Sequence, residues 1–446
     1  MENVEPPDVT PVPPPDGWNE GVLPYLRAYG IIPRPFIPIT SSMHRSASCD
    51  PFLFYLTYIL GLAPSFRVSS KALVRGSWAH VRLEYAESPA AAVPSLMQGR
   101  LNTRLAEIDL TGEAWGLDRP TLDRYKEDET KSFKTAWAWF DALSDVRLPA
   151  EATGLSRPST FLDYLLHPSL MCLGREIRAH LWVRLPNREP FLVSATFDRV
   201  YLNTQTNQLW IFDLKTCDDI PSRRLETVHF EFQTQHYLFI LRSLLEGGHL
   251  NHIAGINAQT VVGGMCHLAM QKPSINFDRR VDRPFKFNEH VLKSGPRKGQ
   301  IELRKEFLSE EPLFDLYVER CKRWYRGEGE YLEERAERVV HPPVNFSFSP
   351  TVKVLDEDGL PDYYSRLGTI LDLCQKSDQP PGCFTRNARS LSAREGNDIL
   401  RSFYLCTPRQ WPEIVASNKM IQHWRDSDVT PNTSSGFYNT FPVSPT

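Results

Sequence analysis

From Glu176 onward the apolar residues stop recurring at helical spacing and begin to alternate, and no other feature constrains the fold of this chain as much. Residues 177–185, 191–202 and 209–216 each read as a strand, and the polar, turn-rich stretch 203–208 joins the last two as a hairpin. Residues 227–246 return to helical spacing and stop at Gly247-Gly248, a helix-ending signal. Apolar runs at 253–259 and 266–271 read as further strands around a glycine turn. The order is helix, three antiparallel strands, helix, strand, which makes the fold class α/β.

The flanks are simpler. Residues 1–38 read as a Pro-rich tail expected to be flexible, with Pro6, Pro7, Pro11, Pro13, Pro14 and Pro15 in its first part. A folded core is expected over 39–275, with buried helices at 49–62 and 71–87 and a helical insertion near 88–170. A basic segment and a helix at 311–326 occupy 276–345, and 346–446 is a Pro- and polar-rich C-terminal extension.

The hairpin carries charge where a strand in mid-sheet should have none. Asp213 and Lys215 are two apart and so point the same way, and a turn centred between Gln205 and Thr206 sets Asp198 directly opposite Asp213. Their neighbours Phe197, Ile211, Phe212 and Leu214 are apolar, so these charges cost free energy unless paired or bound to metal. Two acids and a lysine suit metal-assisted hydrolysis of a phosphodiester, with Mg2+ or Mn2+ on the carboxylates and the lysine stabilising charge on the phosphate. An isolated Asp-x-Lys is more often a plain ion pair. Gln233 and Tyr237, one turn apart on the following helix, and Gly76-Ser-Trp-Ala-His80 on an upstream helix, with Glu84 one turn later, shift the balance because they stand in order around the same unit.

Composition argues against several other classes. The 446 residues are 41% hydrophobic and 24% charged, with ten Trp, which is globular and neither disordered nor collagen-like. No apolar run reaches the ~18 residues of a membrane helix, so no membrane partner is expected. There is no secretory-signal layout and none of the eight cysteines has CxxC spacing, so reduced thiols in a cytoplasmic compartment are expected. A net charge of −3 speaks against nucleic acid globally, yet residues 271–305 hold ten Lys/Arg against four acids.

The GxxxH helix, the Asp198 strand, the Asp-x-Lys strand and the QxxxY helix together resemble the PD-(D/E)XK nuclease superfamily in its RecB-like branch, which includes helicase-associated nuclease domains and CRISPR-associated exonucleases. Ser46-Ala-Ser-Cys49-Asp-Pro51 with Tyr55 also resembles that branch's opening helix. The resemblance implies a restriction-endonuclease-like core and a metal-dependent DNA nuclease, an exonuclease of recombination, repair or phage DNA processing in a bacterial or phage-infected cell. It implies His80, Asp198, Asp213 and the main-chain carbonyl of Leu214 as ligands of Mg2+ or Mn2+, and Lys215 as the catalytic lysine. Gln233 and Tyr237 would steady the lysine and the DNA backbone. Arg279, Arg280 and Lys298 in the basic segment are further candidate DNA contacts.

Ala195 replaces the usual glycine of the Asp198 strand. Many relatives hold an iron–sulfur cluster. Here Cys49 and Cys406 stand at the outer positions while Leu391 and Ile399 occupy the inner ones, so a cluster is not expected. No phosphate-binding GxxxxGK[ST] loop is found, so any helicase or recombination partner would be a separate protein. Two other readings stay open on sequence alone: a catalytically silent DNA-binding or assembly subunit, and an RNA-directed nuclease.

Overall fold

The computed structural model describes residues 39–49, 54–64, 71–86, 88, 91–114, 116–148, 159–183, 191–218, 227–275, 285–291, 300–307, 311–331 and 344–351, with 359–360, 362, 364–368, 420–422 and 436–438 beyond. In chain order, α1 (Ser41–Cys49) and a π-helical turn (Tyr55–Ile59) precede α2 (Lys71–Glu84), α3 (Val93–Ala114), α4 (Arg119–Asp145) and the short α5 (Phe161–Leu165). Then come β1 (Leu170–Val183), β2 (Phe191–Asn203), β3 (Gln208–Cys217), α6 (Phe232–Glu246) and β4 (Val261–Gln271). A hairpin of β5 (Phe285–Val291) and β6 (Ile301–Phe307), α7 (Glu311–Arg326) and β7 (Val344–Pro350) complete the main elements.

Local chemistry explains the boundaries. Asp118 caps α4 by accepting the Thr121 N–H at 3.0 Å, and Thr160 and Asp163 form a reciprocal capping box on α5. Between β2 and β3, Asn203 Oδ1 accepts the N–H groups of Gln205 and Thr206, and Asn207 takes the left-handed conformation at φ 54°. That turn fixes the register Asn203↔Gln208 through Arg199↔Phe212.

The central sheet has six strands in the order β7-β4-β3-β2-β1, with the short strand Gly436–Tyr438 parallel to β1 at the far edge. β2 pairs antiparallel with both β1 and β3, and β4 runs parallel to β3 after the α6 crossover. One face buries Ile177, Ala179, Leu181, Val193, Phe197 and Ile211 against α1 and Leu238 and Leu241 of α6. The other buries Phe212, Leu214 and Leu268 against Trp78 of α2, Trp139 of α4 and Tyr317 of α7. Two helical layers therefore sandwich the sheet, as the α/β order predicts.

Three expectations shift. Residues 253–260 are turns rather than a strand, because β4 begins only at Val261. The glycines read as a turn lie inside β4, where the Trp210 indole fills the space that a Cβ on Gly263 would need, at 2.5 Å. The apolar run 49–62 is not one helix: α1 ends at Cys49 and Tyr55–Ile59 is π-helical. Finally, β7 straddles the expected boundary at 345/346, pairing with β4 from Val344↔Met270 to Pro350↔Gly264. Among the described residues no helix is long and apolar enough to cross a membrane.

Candidate active site

The β2–β3 ladder stops one residue short of the charged pair. Beyond Arg199↔Phe212 the next position opposes Asp198 and Asp213, but there the strands separate and Asp198 Oδ2 accepts the Leu214 N–H at 2.8 Å. Asp198 thus occupies the gap between diverging strands. Asp213 and Lys215 follow Leu209 and Ile211 in the alternation, on the face covered by α6.

On that face Asp213 is 2% exposed and densely held. Lys215 Nζ lies 2.9 Å from Oδ1 and 2.8 Å from Oδ2, and Gln233 Nε2 donates to Oδ1 at 3.0 Å. Tyr237 is buried one turn beyond Gln233, its ring edge-on to Phe197. Behind Asp213, its β4 partner His267 brings Nδ1 within 3.7 Å of Oδ2. The Thr234 hydroxyl gives its proton to the Val228 carbonyl at 2.7 Å, so at 3.0 Å from His267 Nε2 it is the acceptor and the ring nitrogen donates.

On the opposite side α2 delivers His80. Gly76 lets the helix approach β3, since a Cβ there would meet Thr216 Oγ1 at 3.3 Å. One turn on, His80 Nδ1 sits 3.3 Å from Asp198 Oδ2. The buried Arg199 guanidinium fixes the end of the same helix by donating to the Leu83 carbonyl, and it also donates to the Tyr201 hydroxyl. Glu176 completes the group from β1. Its backbone is left-handed, φ 47°, between the pairs Arg175↔Arg199 and Ile177↔Phe197, which turns its carboxylate toward the gap. Ligand atoms of His80, Glu176 and Asp198 all lie within 4.8 Å of one another.

The charges divide the carboxylates into two kinds. Burial and the neighbouring Asp213 raise Asp198 to about 6, against the pull of His80 and Lys215. Glu176 is exposed, yet partial desolvation against the neighbouring groups raises its carboxyl to about 7, with Asp198 and Glu84 adding to it. For Asp213 burial works upward too, but Lys215 and His267 outweigh it and hold the carboxyl at about 2. Burial, with Asp213 and Asp198 nearby, pushes the Tyr237 phenol well up.

The profile of the PD-(D/E)XK nuclease superfamily matches residues 40–341. The chain belongs to this superfamily. No curated protein sequence matches it. In a PD-(D/E)XK nuclease the substrate is nucleic acid and divalent ions typically assist. One imidazole nitrogen and two carboxylates suit Mg2+ or Mn2+, so the donor set fits.

Within this PD-(D/E)XK core the structure brings His80, Asp198, Asp213, Lys215, Gln233 and Tyr237 into one region, but in two subsets. Asp213, expected with His80 and Asp198 on the ion, is turned to Lys215 and Gln233, while Glu176 stands with His80 and Asp198. Leu214, expected to offer its carbonyl, meets Asp198 through its N–H. Arg279, Arg280, Lys298 and Cys406 lie outside the described residues, as does the side chain of Cys49. Glu176 and His267 are the additions. The change of period at Glu176 was the only sequence mark of the first. The second lies in an apolar run whose parallel register no spacing encodes.

Proposed function

We propose that the chain is a divalent-metal-dependent DNA nuclease of the RecB-like branch, acting as an exonuclease in recombination, repair or phage DNA processing. The observation that carries the reading is the convergence of His80, Glu176 and Asp198 on one side of a sheet opening, with the Asp213–Lys215 pair on the other. The order of GxxxH and QxxxY around that core supports the RecB-like branch.

In the reaction a water oxygen forms a bond to the scissile phosphorus and gives up a proton to solvent, while the bond from phosphorus to one sugar oxygen breaks and that oxygen takes a proton from solvent to leave as a hydroxyl. His80, Glu176 and Asp198 would hold a divalent ion, which when bound would supply Lewis-acid charge at the phosphate and lower the pKa of a nearby water. The chain's own groups do the rest. Lys215, its ammonium fixed against both oxygens of Asp213, orients the water and stabilises charge developing on the phosphate oxygens. Gln233 holds Asp213 so that the lysine cannot swing away, and Tyr237 backs Gln233. His267 closes Asp213 from behind.

The test is digestion of end-labelled linear and closed circular DNA with Mg2+, with Mn2+ and with EDTA. Loss of the linear form alone, dependent on the ion and at least ~100-fold slower in Asp198→Asn, is the expected result. Cutting of closed circles would overturn the exonuclease part. Unimpaired digestion in EDTA would overturn the metal part.

A further inference from the structure

Two arginines on different elements stand near the carboxylate cluster, Arg178 on β1 and Arg100 on α3. On β1, Ile177, Ala179, Leu181 and Val183 are buried in the core under α6, so Arg178 and His180 lie on the other face, the one that carries Glu176 and faces α2. Arg178 stands two residues beyond Glu176, about 6.6 Å along the strand. Its cross-strand partner Thr196 is exposed, so this stretch of the sheet is open to water. Helix α3 buries Met97 and Leu101 and leaves Arg100 on the rim of that stripe, its side chain 54% exposed. Arg100 Nη2 is 3.7 Å from Glu84 Oε2, and Glu84 sits one turn after His80.

These arginines differ from the structural one beside them. Arg199 is 1% exposed and spans from Leu83 to Tyr201 inside the fold. Arg100 is mostly in solvent, where its pairing with Glu84 adds little to stability. A planar guanidinium held at the mouth of such a site matches a phosphate bidentately.

We propose that Arg178 and Arg100 hold the backbone phosphates on either side of the one being cut, so that the strand crosses the open face of β1 and leaves beneath α3. The proposal rests on the nuclease reading and adds to it the path of the substrate. The arginines grip the strand, and His80, Glu176, Asp198 and Lys215 act on the phosphate between them.

The measurement is fluorescence anisotropy of a labelled single-stranded oligonucleotide on the full chain, in EDTA, from about 50 to about 200 mM NaCl. Each phosphate contact contributes about 0.7 to the slope of log Kd against log salt for a single strand. R100Q and R178Q should each lower the slope by about that amount, and the double variant by about twice it. Arg178→Lys, which keeps the charge, should keep the slope while weakening binding, and it guards against misfolding of the glutamine variant. R119Q is the control, at the start of α4 and about 21 Å further along the helical hairpin than Arg100. Its slope should match wild type. Unchanged slopes in R100Q and R178Q, in a wild type that binds and digests DNA, would overturn the path and leave the nuclease reading intact. An equal drop in R119Q would overturn it as well, since the contact would then be diffuse. A wild type that neither binds nor digests DNA would remove both.

Discussion

Glu176 at about 7 and Asp198 at about 6 hold protons that the same carboxyls release near 4 in an unfolded chain. Their folded values are raised, so the native state binds more protons and stability falls as pH rises from about 4 toward 7. Asp213 has the opposite sign: its contribution is complete above about 4 and is lost only as pH falls toward 2. The metal-free protein should therefore melt lower at pH 7 than at pH 5, and Mn2+ should restore most of the loss at pH 7. Because ligands must shed those protons, Mn2+ binding near pH 6 should release protons, read as a buffer-dependent heat in calorimetry. A heat identical in buffers of different ionisation enthalpy would contradict the assignment of these two groups. Asp198, Asp213 and Lys215 were legible in the sequence because charge in an alternating apolar strand has no cheap explanation. Glu176 was not, because its place depends on one backbone angle, φ 47°, that no residue pattern announces.

At the scale of elements, α2 has to lie close to β3 for His80 to reach Asp198. Gly76 permits that approach, and the Arg199 bond to the Leu83 carbonyl holds the far end. Gly76→Val places branched carbons against Thr216, and overpacking of this kind typically costs about 1–3 kcal/mol. The expected result is a lower melting temperature together with weaker Mn2+ binding, since the helix must shift away from the cluster. An unchanged Mn2+ affinity would show that α2 is not placed by this contact. The strands and α6 were legible to within a few residues, except that β1 starts at Leu170, seven residues before the expected 177, because a register shift between Cys172 and Gly174 breaks the alternation. The supposed strand at 253–259 failed for a different reason. Its apolar residues, Ile253 and Ile256, pack on the core from turns.

For the whole molecule, the superfamily match ends at 341, but the fold does not. β7 covers the outer edge of β4, and Leu360, Tyr364 and Leu367 are buried in the α6-side core. The Tyr364 hydroxyl meets His236 Nδ1 at 2.8 Å, while His236 Nε2 donates to the Ser194 carbonyl. A chain ending at residue 341 would expose the β4 edge and open that core, so it should be aggregation-prone and melt well below the full chain. Equal melting temperatures would contradict the view that these residues complete the domain. The Pro- and polar-rich composition of 346–446 hides this, although Leu360, Tyr364 and Leu367 stand at the i, i+4, i+7 spacing of one helical face. Net charge misled in the same way: −3 for the whole chain says nothing about the local charges around Asp198 and Asp213. The most direct test of the central claim is single-turnover digestion of linear DNA in saturating Mn2+ by wild type and by Lys215→Met, with Mn2+ binding followed in parallel. Lys215→Met should still bind Mn2+ and digest at least ~100-fold more slowly, as expected for the loss of a group that stabilises charge in the transition state. Digestion by that variant at the wild-type rate would contradict it.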